Sequence, residues 1–387
     1  MATNTIANSE SVRATLDIDA IIEEAREAAE GRRFVSEDFR YPLSHLLRIS
    51  AEDLVFRSEG LATMRRDLVR VLTNRLRYER DVHDHPRIAE EIVTPPMIIT
   101  GLPRSGSTKL QRLIAADPQV RSLLTWQALY PAPINDMAFS GPDPRIDLAA
   151  TYVAAQDKVK ASHAHVVDQP EEEFYLLIQS LESVFEINYV PSRRYLDWIR
   201  GRNREPSYRF LHRMLQYLQW QSNVPGEMPW ILKSPAHLGS LDMICEVFPG
   251  ATVLHTYRDP VEFAQSWCYM MQSHWGPLYA HVTSEYIGRH CLKHWSGEME
   301  RFKRQRELLG SRLNIIDVPY EDIVADPVGV TGKFYSRAGH ELSDASIAAM
   351  KAWDADNPQY KHGKPEYSLE SFGLSKSEIW ECLDWRG

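Results

Sequence analysis

The strongest chemical signal in this 387-residue chain is Gly101-Leu102-Pro103-Arg104-Ser105-Gly106-Ser107-Thr108. The apolar run Met97–Ile99 before it has strand character. Lys109–Ala116 after it spaces apolar residues at helical intervals. A strand, a glycine turn and a helix aim backbone N–H groups and the positive end of the helix at one point, which suits a phosphate. The glycines let the chain turn tightly and approach an anion without a Cβ in the way. The turn's composition narrows the ligand. A nucleoside-triphosphate loop ends in Gly-Lys-Ser/Thr, its lysine reaching the β/γ-phosphates and its hydroxyl holding Mg²⁺. Here Thr108 fits, Ser107 replaces the lysine, and the cation sits earlier, at Arg104. The turn is therefore better matched to a less charged donor that needs no metal.

Further groups join it. Arg258-Asp259-Pro260 ends the apolar run Ala251–Tyr257, and Ser266 follows about two helical turns on. A guanidinium and a hydroxyl so placed can grip a phosphate from two sides. Lys233-Ser234-Pro235 ends another apolar run and offers a cation to a transferring anionic group. His163, His165, Asp168, Glu171, Glu172 and Glu173 lie close together and supply candidates for a base acting on a weakly nucleophilic hydroxyl. His237, His255 and His362 are further candidates. A basic, glycine-containing turn, Tyr360-Lys361-His362-Gly363-Lys364, comes late in the chain.

The loop at 101–108, with Ala115-Ala116-Asp117-Pro118 behind it, resembles the 5′-phosphosulfate loop of sulfotransferases. The resemblance runs over roughly residues 30 to 375, in matching order, and is nearest to the bacterial branch of that family. It implies 3′-phosphoadenosine-5′-phosphosulfate as donor and no metal. Backbone amides of Ser105, Gly106, Ser107 and Thr108, with Arg104, would hold the 5′-phosphate and bridging oxygen. Arg258 and Ser266 would hold the 3′-phosphate, Lys361, His362, Gly363 and Lys364 would close over it, and Lys233 would face the sulfonate. Family members often carry a glutamate base after the tryptophan equivalent to Trp126. Gln127 stands there and cannot serve, so His165 is the first expectation for the base and Glu172 the second. The acceptor is expected to be a small, lipophilic hydroxyl compound. Two rivals remain: a P-loop kinase, with Asp317 as its metal ligand, and a nucleotide-binding protein without turnover.

The elements that must position these groups are legible as strands alternating with helices. Strands are expected at Met97–Ile99, from Trp230, at Ala251–Tyr257 and at Leu313–Val318. Helices follow each, giving an α/β fold with a P-loop-type parallel sheet flanked by helices and carrying helical insertions. Ligands gather beyond the carboxyl ends of such strands. Residues 1–95 read as a helical preface packed on the core, its arginines a solvated face, and 96–387 as the α/β domain. Ser36 is expected to cap a helix, and 126–133 to form an aromatic loop.

The composition, 43% hydrophobic and 25% charged, is that of a globular protein. A formal charge of −9 argues against a nucleic-acid partner. Four scattered cysteines without metal-ligand spacing suggest a reduced, cytoplasmic setting. The N-terminus lacks an apolar signal core, and no run of about 18 apolar residues could span a membrane. Oligomeric state is not encoded in any motif.

Overall fold

The computed structural model describes residues 5–134, 142–157, 166–182, 190–222, 227–357 and 368–386. Its sheet has five parallel strands: β1 (Met97–Gly101), β2 (Arg121–Ser122), β3 (Trp230–Lys233), β4 (Thr252–Tyr257) and β5 (Ile315–Pro319). They lie in the order β2-β3-β1-β4-β5. β1 is buried throughout and apolar from Met97 to Ile99 because both of its faces are covered. Met97 and Ile99, with Ile231 and Leu254, point into one core, whereas Ile98, Leu232 and Val253 point into the other.

The first helices are α1 (Ser9–Thr15), α2 (Ile18–Ala28), α3 (Arg40–Asp53) and α4 (Ser58–Asp84). After β1 come α5 (Ser107–Ile114), α6 (Thr125–Leu129), α7 (Pro144–Asp157), α8 (Phe174–Leu177), α9 (Arg193–Arg200) and α10 (Glu205–Gln221). α11 (Leu241–Val247) separates β3 from β4, and α12 (Pro260–Trp275) and α13 (Ser284–Leu309) separate β4 from β5. The chain continues through α14 (Tyr320–Ala325), α15 (Pro327–Ala338), α16 (Asp344–Asp356) and α17 (Lys376–Leu383). The smaller core joins the sheet to α5, α14, α15 and α16. The larger one lies on the opposite face and takes in residues from α1–α4 and α10–α13.

The expected strands are present, with the last starting at Ile315 rather than Leu313. β2 was not anticipated: two residues are too few to show a period. Residues 125–129 form the short helix α6 rather than a loop. α3 starts at Arg40, and no side chain caps it; Ser36 instead receives a hydrogen bond from the Asp38 N–H. The arginines of α4 are not simply a solvated face. Arg70 and Arg75 are buried, and Arg70 Nη1 donates to the Leu129 carbonyl at 2.8 Å. Arg65 Nε donates to Glu24 at 2.7 Å. A 27-residue helix held between α2 and the main core has little free face, so its cations end in local ties. No described helix is long and apolar enough to cross a membrane.

Candidate active site

The chain leaves β1 toward β2 on one side and leaves β4 toward β5 on the other. The adjacent strands β1 and β4 therefore form the crevice where strand order reverses, the usual ligand position in an open α/β sheet. The glycine turn is built into that crevice. Gly101 has φ 147°, and a Cβ there would collide with the Thr256 carbonyl oxygen of β4. Arg104 (φ 68°) and Gly106 (φ 85°) both adopt left-handed backbone, unusual for arginine and natural for glycine. Gly106 is the N-cap of α5, so the first N–H groups of that helix lack intrahelical partners and face the mouth of the turn. The Arg104 side chain is exposed and pairs with none of the described residues.

The Ser105 hydroxyl does not face a ligand. It is buried, donates to the Leu102 carbonyl at 2.7 Å and lies 2.6 Å from the Thr256 hydroxyl. The Thr100 hydroxyl in turn donates to the Ser234 carbonyl at 3.0 Å. These bonds stitch the carboxyl ends of β1, β3 and β4 into one rim. Ser107 and Thr108, in the first turn of α5, are partly exposed. Asp117 anchors the far end of α5 by accepting from Tyr335 and Ser346, each at 2.8 Å.

Arg258 leaves β4 and reaches back to the turn: its Nη1 lies 3.4 Å from the Arg104 carbonyl oxygen. Its guanidinium stacks 4.1 Å from the Tyr320 ring centre and pairs with Glu262 one turn along α12. Ser266 is a further turn along the same helix and partly exposed. The rim thus brings together the loop residues 104–108 and Arg258.

The acidic cluster is drawn to the same rim. Gln111 of α5 donates to the Glu171 carbonyl at 3.0 Å, and the Glu171 N–H donates to Leu123 at 2.8 Å. Glu172 pairs with the Lys233 ammonium at the end of β3. Burial pushes the Glu172 carboxyl above its ordinary range, while Lys233 beside it pulls the other way. Glu173 is fully buried and structural: it accepts the Lys233 N–H at 2.9 Å and pairs with His237 Nε2. The other nitrogen of His237, Nδ1, lies 2.7 Å from the Tyr208 hydroxyl. His237 is thereby spent within the core. His255 is spent similarly, on Asp317 at 2.8 Å. Gln127 accepts the Leu124 N–H at 3.0 Å and so helps to close α6. Among the described residues, Asp168 makes no hydrogen bond or ion pair with Glu172, Lys233 or the glycine turn. His163, His165, Lys361, His362, Gly363 and Lys364 lie outside the described residues.

Sequence alone did not distinguish the three adjacent glutamates. Only their partners separate them, and those partners lie about 60 residues away. Gln111 was also missed. A buried amide on the inner face of a short amphipathic helix was the available signal.

A family model described as "Sulfotransferase family" matches residues 95–344. The chain is 25% identical over 319 residues to the omega-hydroxy-beta-dihydromenaquinone-9 sulfotransferase Stf3 of Mycobacterium bovis, a match covering 78% of this chain and 77% of that one. It superposes on the crystal structure of sulfotransferase STF1 from Mycobacterium tuberculosis with a TM-score of 0.81 and 27% identity, covering 95% of this chain and 98% of that one. STF9 from Mycobacterium avium shares the fold at a TM-score of 0.81 and 24% identity, over 95% of this chain and 94% of the other. The family model accounts for most of the chain, including β1 through β5, and the chain belongs to the sulfotransferase family.

Proposed function

We propose that this sulfotransferase takes its sulfonate from 3′-phosphoadenosine-5′-phosphosulfate and delivers it to a hydroxyl of a small lipophilic acceptor. The observation that carries the donor assignment is the approach of the Arg258 guanidinium to the glycine turn, 3.4 Å from the Arg104 carbonyl. Two anion-binding groups from separate strands then serve one ligand with a phosphate at each end. Gly101 lets the turn pack against the Thr256 carbonyl, and Gly106 lets it pack against Tyr320 and Ile323, where a Cβ would crowd them. The Stf3 relative's named acceptor, a hydroxylated menaquinone derivative, supports the lipophilic class.

The donor contributes a sulfonate joined to a good phosphate leaving group. The α5 N–H groups and Arg104 stabilise the charge that grows on that phosphate as the S–O bond breaks. Arg258, with Ser266 behind it on α12, fixes the other end of the nucleotide. Lys233, released from Glu172, would neutralise the sulfonate oxygens in flight. Glu172 accepts the acceptor's proton as the new S–O bond forms, and its raised proton affinity suits that task. Lys233 and Glu172 pair with one another until the substrates separate their roles. Lys361–Lys364 remain part of the proposed 3′-phosphate enclosure, and His165 the competing base.

A phosphotransferase reading loses its metal ligand. Asp317 accepts from Arg306 at 2.6 and 2.8 Å and pairs with His255. Incubating the protein with the phosphosulfate donor and a panel of hydrophobic alcohols tests the proposal. An acceptor mass gain of one sulfonate is expected. Transfer of phosphate from ATP–Mg²⁺, without sulfonation, would refute it.

A further inference from the structure

A partly open cavity of about 80 Å³ lies beyond α8, bounded by α3, α4, the turn following α8 and the end of α12 with the segment after it. Its walls include Met64, Leu68 and Val71 from α4, Ile178 and Leu181 from the turn, and Leu278. The charged groups at its edge are turned to one another: Arg70 Nε lies 4.0 Å from Asp67, and Arg70 also donates to the Leu129 carbonyl. Space lined in this way gives water few hydrogen-bonding partners and favours hydrocarbon.

Two features fix the cavity in place. α4 is seated by the Arg57 N–H, which donates to the Leu278 carbonyl at 2.8 Å. Gly60 lets that seat be close, since a Cβ there would strike the same carbonyl. Opposite, Leu181 is buried with φ 59°, a backbone conformation that a leucine rarely adopts. It ends a continuous helical path starting at Glu173, the neighbour of Glu172. At helical rise, Ile178 and Leu181 lie roughly 8–13 Å along that path. Glu172 thus immediately precedes the start of one short element whose far end lines the cavity.

We propose that this cavity receives a single hydrocarbon chain carried by the acceptor whose hydroxyl meets Glu172. The inference rests on the sulfonate-transfer reading and adds a place for the apolar part of the substrate. It also gives the N-terminal helices a role: α4 supplies one wall of the substrate site. Polar or short acceptors would leave that wall unused.

The test uses the full chain, straight-chain alcohols from butan-1-ol to dodecan-1-ol, and two variants. Val71→Phe fills the cavity, and Thr63→Trp blocks its edge without enlarging the interior, in case the first fails to fold. Dodecan-1-ol binding by calorimetry is measured beside kcat/KM across the series. In the wild type, kcat/KM should rise by up to about fourfold per methylene until the cavity is full. In either folded variant, dodecan-1-ol binding should fall at least about tenfold and the chain-length slope should flatten. Equal dodecan-1-ol binding by wild type and both variants, or a slope they leave unchanged, overturns the proposal. Absence of sulfonation with every alcohol, while dodecan-1-ol binding still depends on Val71 and Thr63, would count against the transfer reading and leave the cavity assignment standing.

Discussion

Glu172 pairs with Lys233 across the mouth of the sheet, joining a carboxylate from the segment before α8 to an ammonium at the end of β3. Neither residue is informative alone. Together they put a carboxylate and an ammonium at the end of β3, the strand paired with β1, which leads into the glycine turn. Glu172→Gln keeps the size and removes the basic oxygen. We expect kcat to fall by about 10²- to 10⁴-fold, with adenosine-3′,5′-bisphosphate affinity changed less than about threefold. A parallel His165→Ala variant that lost as much activity, with Glu172→Gln active, would move the base to residue 165.

The bonds behind that pair predict a different phenotype. Glu173 touches no substrate in this account; it holds the Lys233 backbone and His237, which is anchored by Tyr208. Removing one member strands buried polar groups, at roughly 1–3 kcal/mol each. Glu173→Gln and His237→Phe should lower thermal stability by that order. Activity should fall mainly through kcat, because the Glu172–Lys233 geometry loosens while the phosphate turn stays intact. Unchanged denaturation midpoints would contradict the network.

Gly101 gives a sharper backbone test. Its φ of 147° and the facing Thr256 carbonyl exclude any side chain. Gly101→Ala should cost on the order of 1–3 kcal/mol or more and abolish adenosine-3′,5′-bisphosphate binding. Gly332→Ala is the control, since a Cβ at Gly332 meets nothing within 4 Å. Equal stability of the two variants would show that the turn can relax.

Acid sensitivity follows from α13. Burial holds His290 down at about 3 and His294 at about 4, against an ordinary 6.5. Both stay neutral when folded and take up protons when unfolded. Their contribution is therefore present above about pH 6.5 and is lost as pH falls. Between 6.5 and 4, two such groups weaken folding by up to roughly 3 kcal/mol per pH unit. Urea midpoints measured at pH 7 and pH 5 should differ accordingly. His294→Gln should reduce the difference, and a pH-independent midpoint would refute the assignment.

How much of this was legible depends on range. Met97–Ile99 and the glycines after it show their strand and turn locally, because burial on both faces and positive φ each leave a mark in residue type. Arg258 is readable for the same reason, at the junction of an apolar strand and a helix-starting Asp-Pro. The acidic cluster is not. Glu171, Glu172 and Glu173 are chemically alike, and one faces the rim while its neighbour is buried only because β3 and His237 come to meet them. Arg70 and Arg75 misled for the converse reason: arginines usually mark a wet face, and α4 has partners around it. β2 carries no pattern in two residues, and its place is set by its neighbour β3.

The central claim is that Arg258 and the 101–108 turn grip opposite ends of one adenosine bisphosphate. Calorimetric titration of wild type and Arg258→Ala with adenosine-3′,5′-bisphosphate and adenosine-5′-phosphate tests it most directly. Loss of a charge-assisted phosphate contact should weaken the bisphosphate by about 10- to 100-fold and the monophosphate by less than about threefold. Equal losses for both nucleotides would contradict the account.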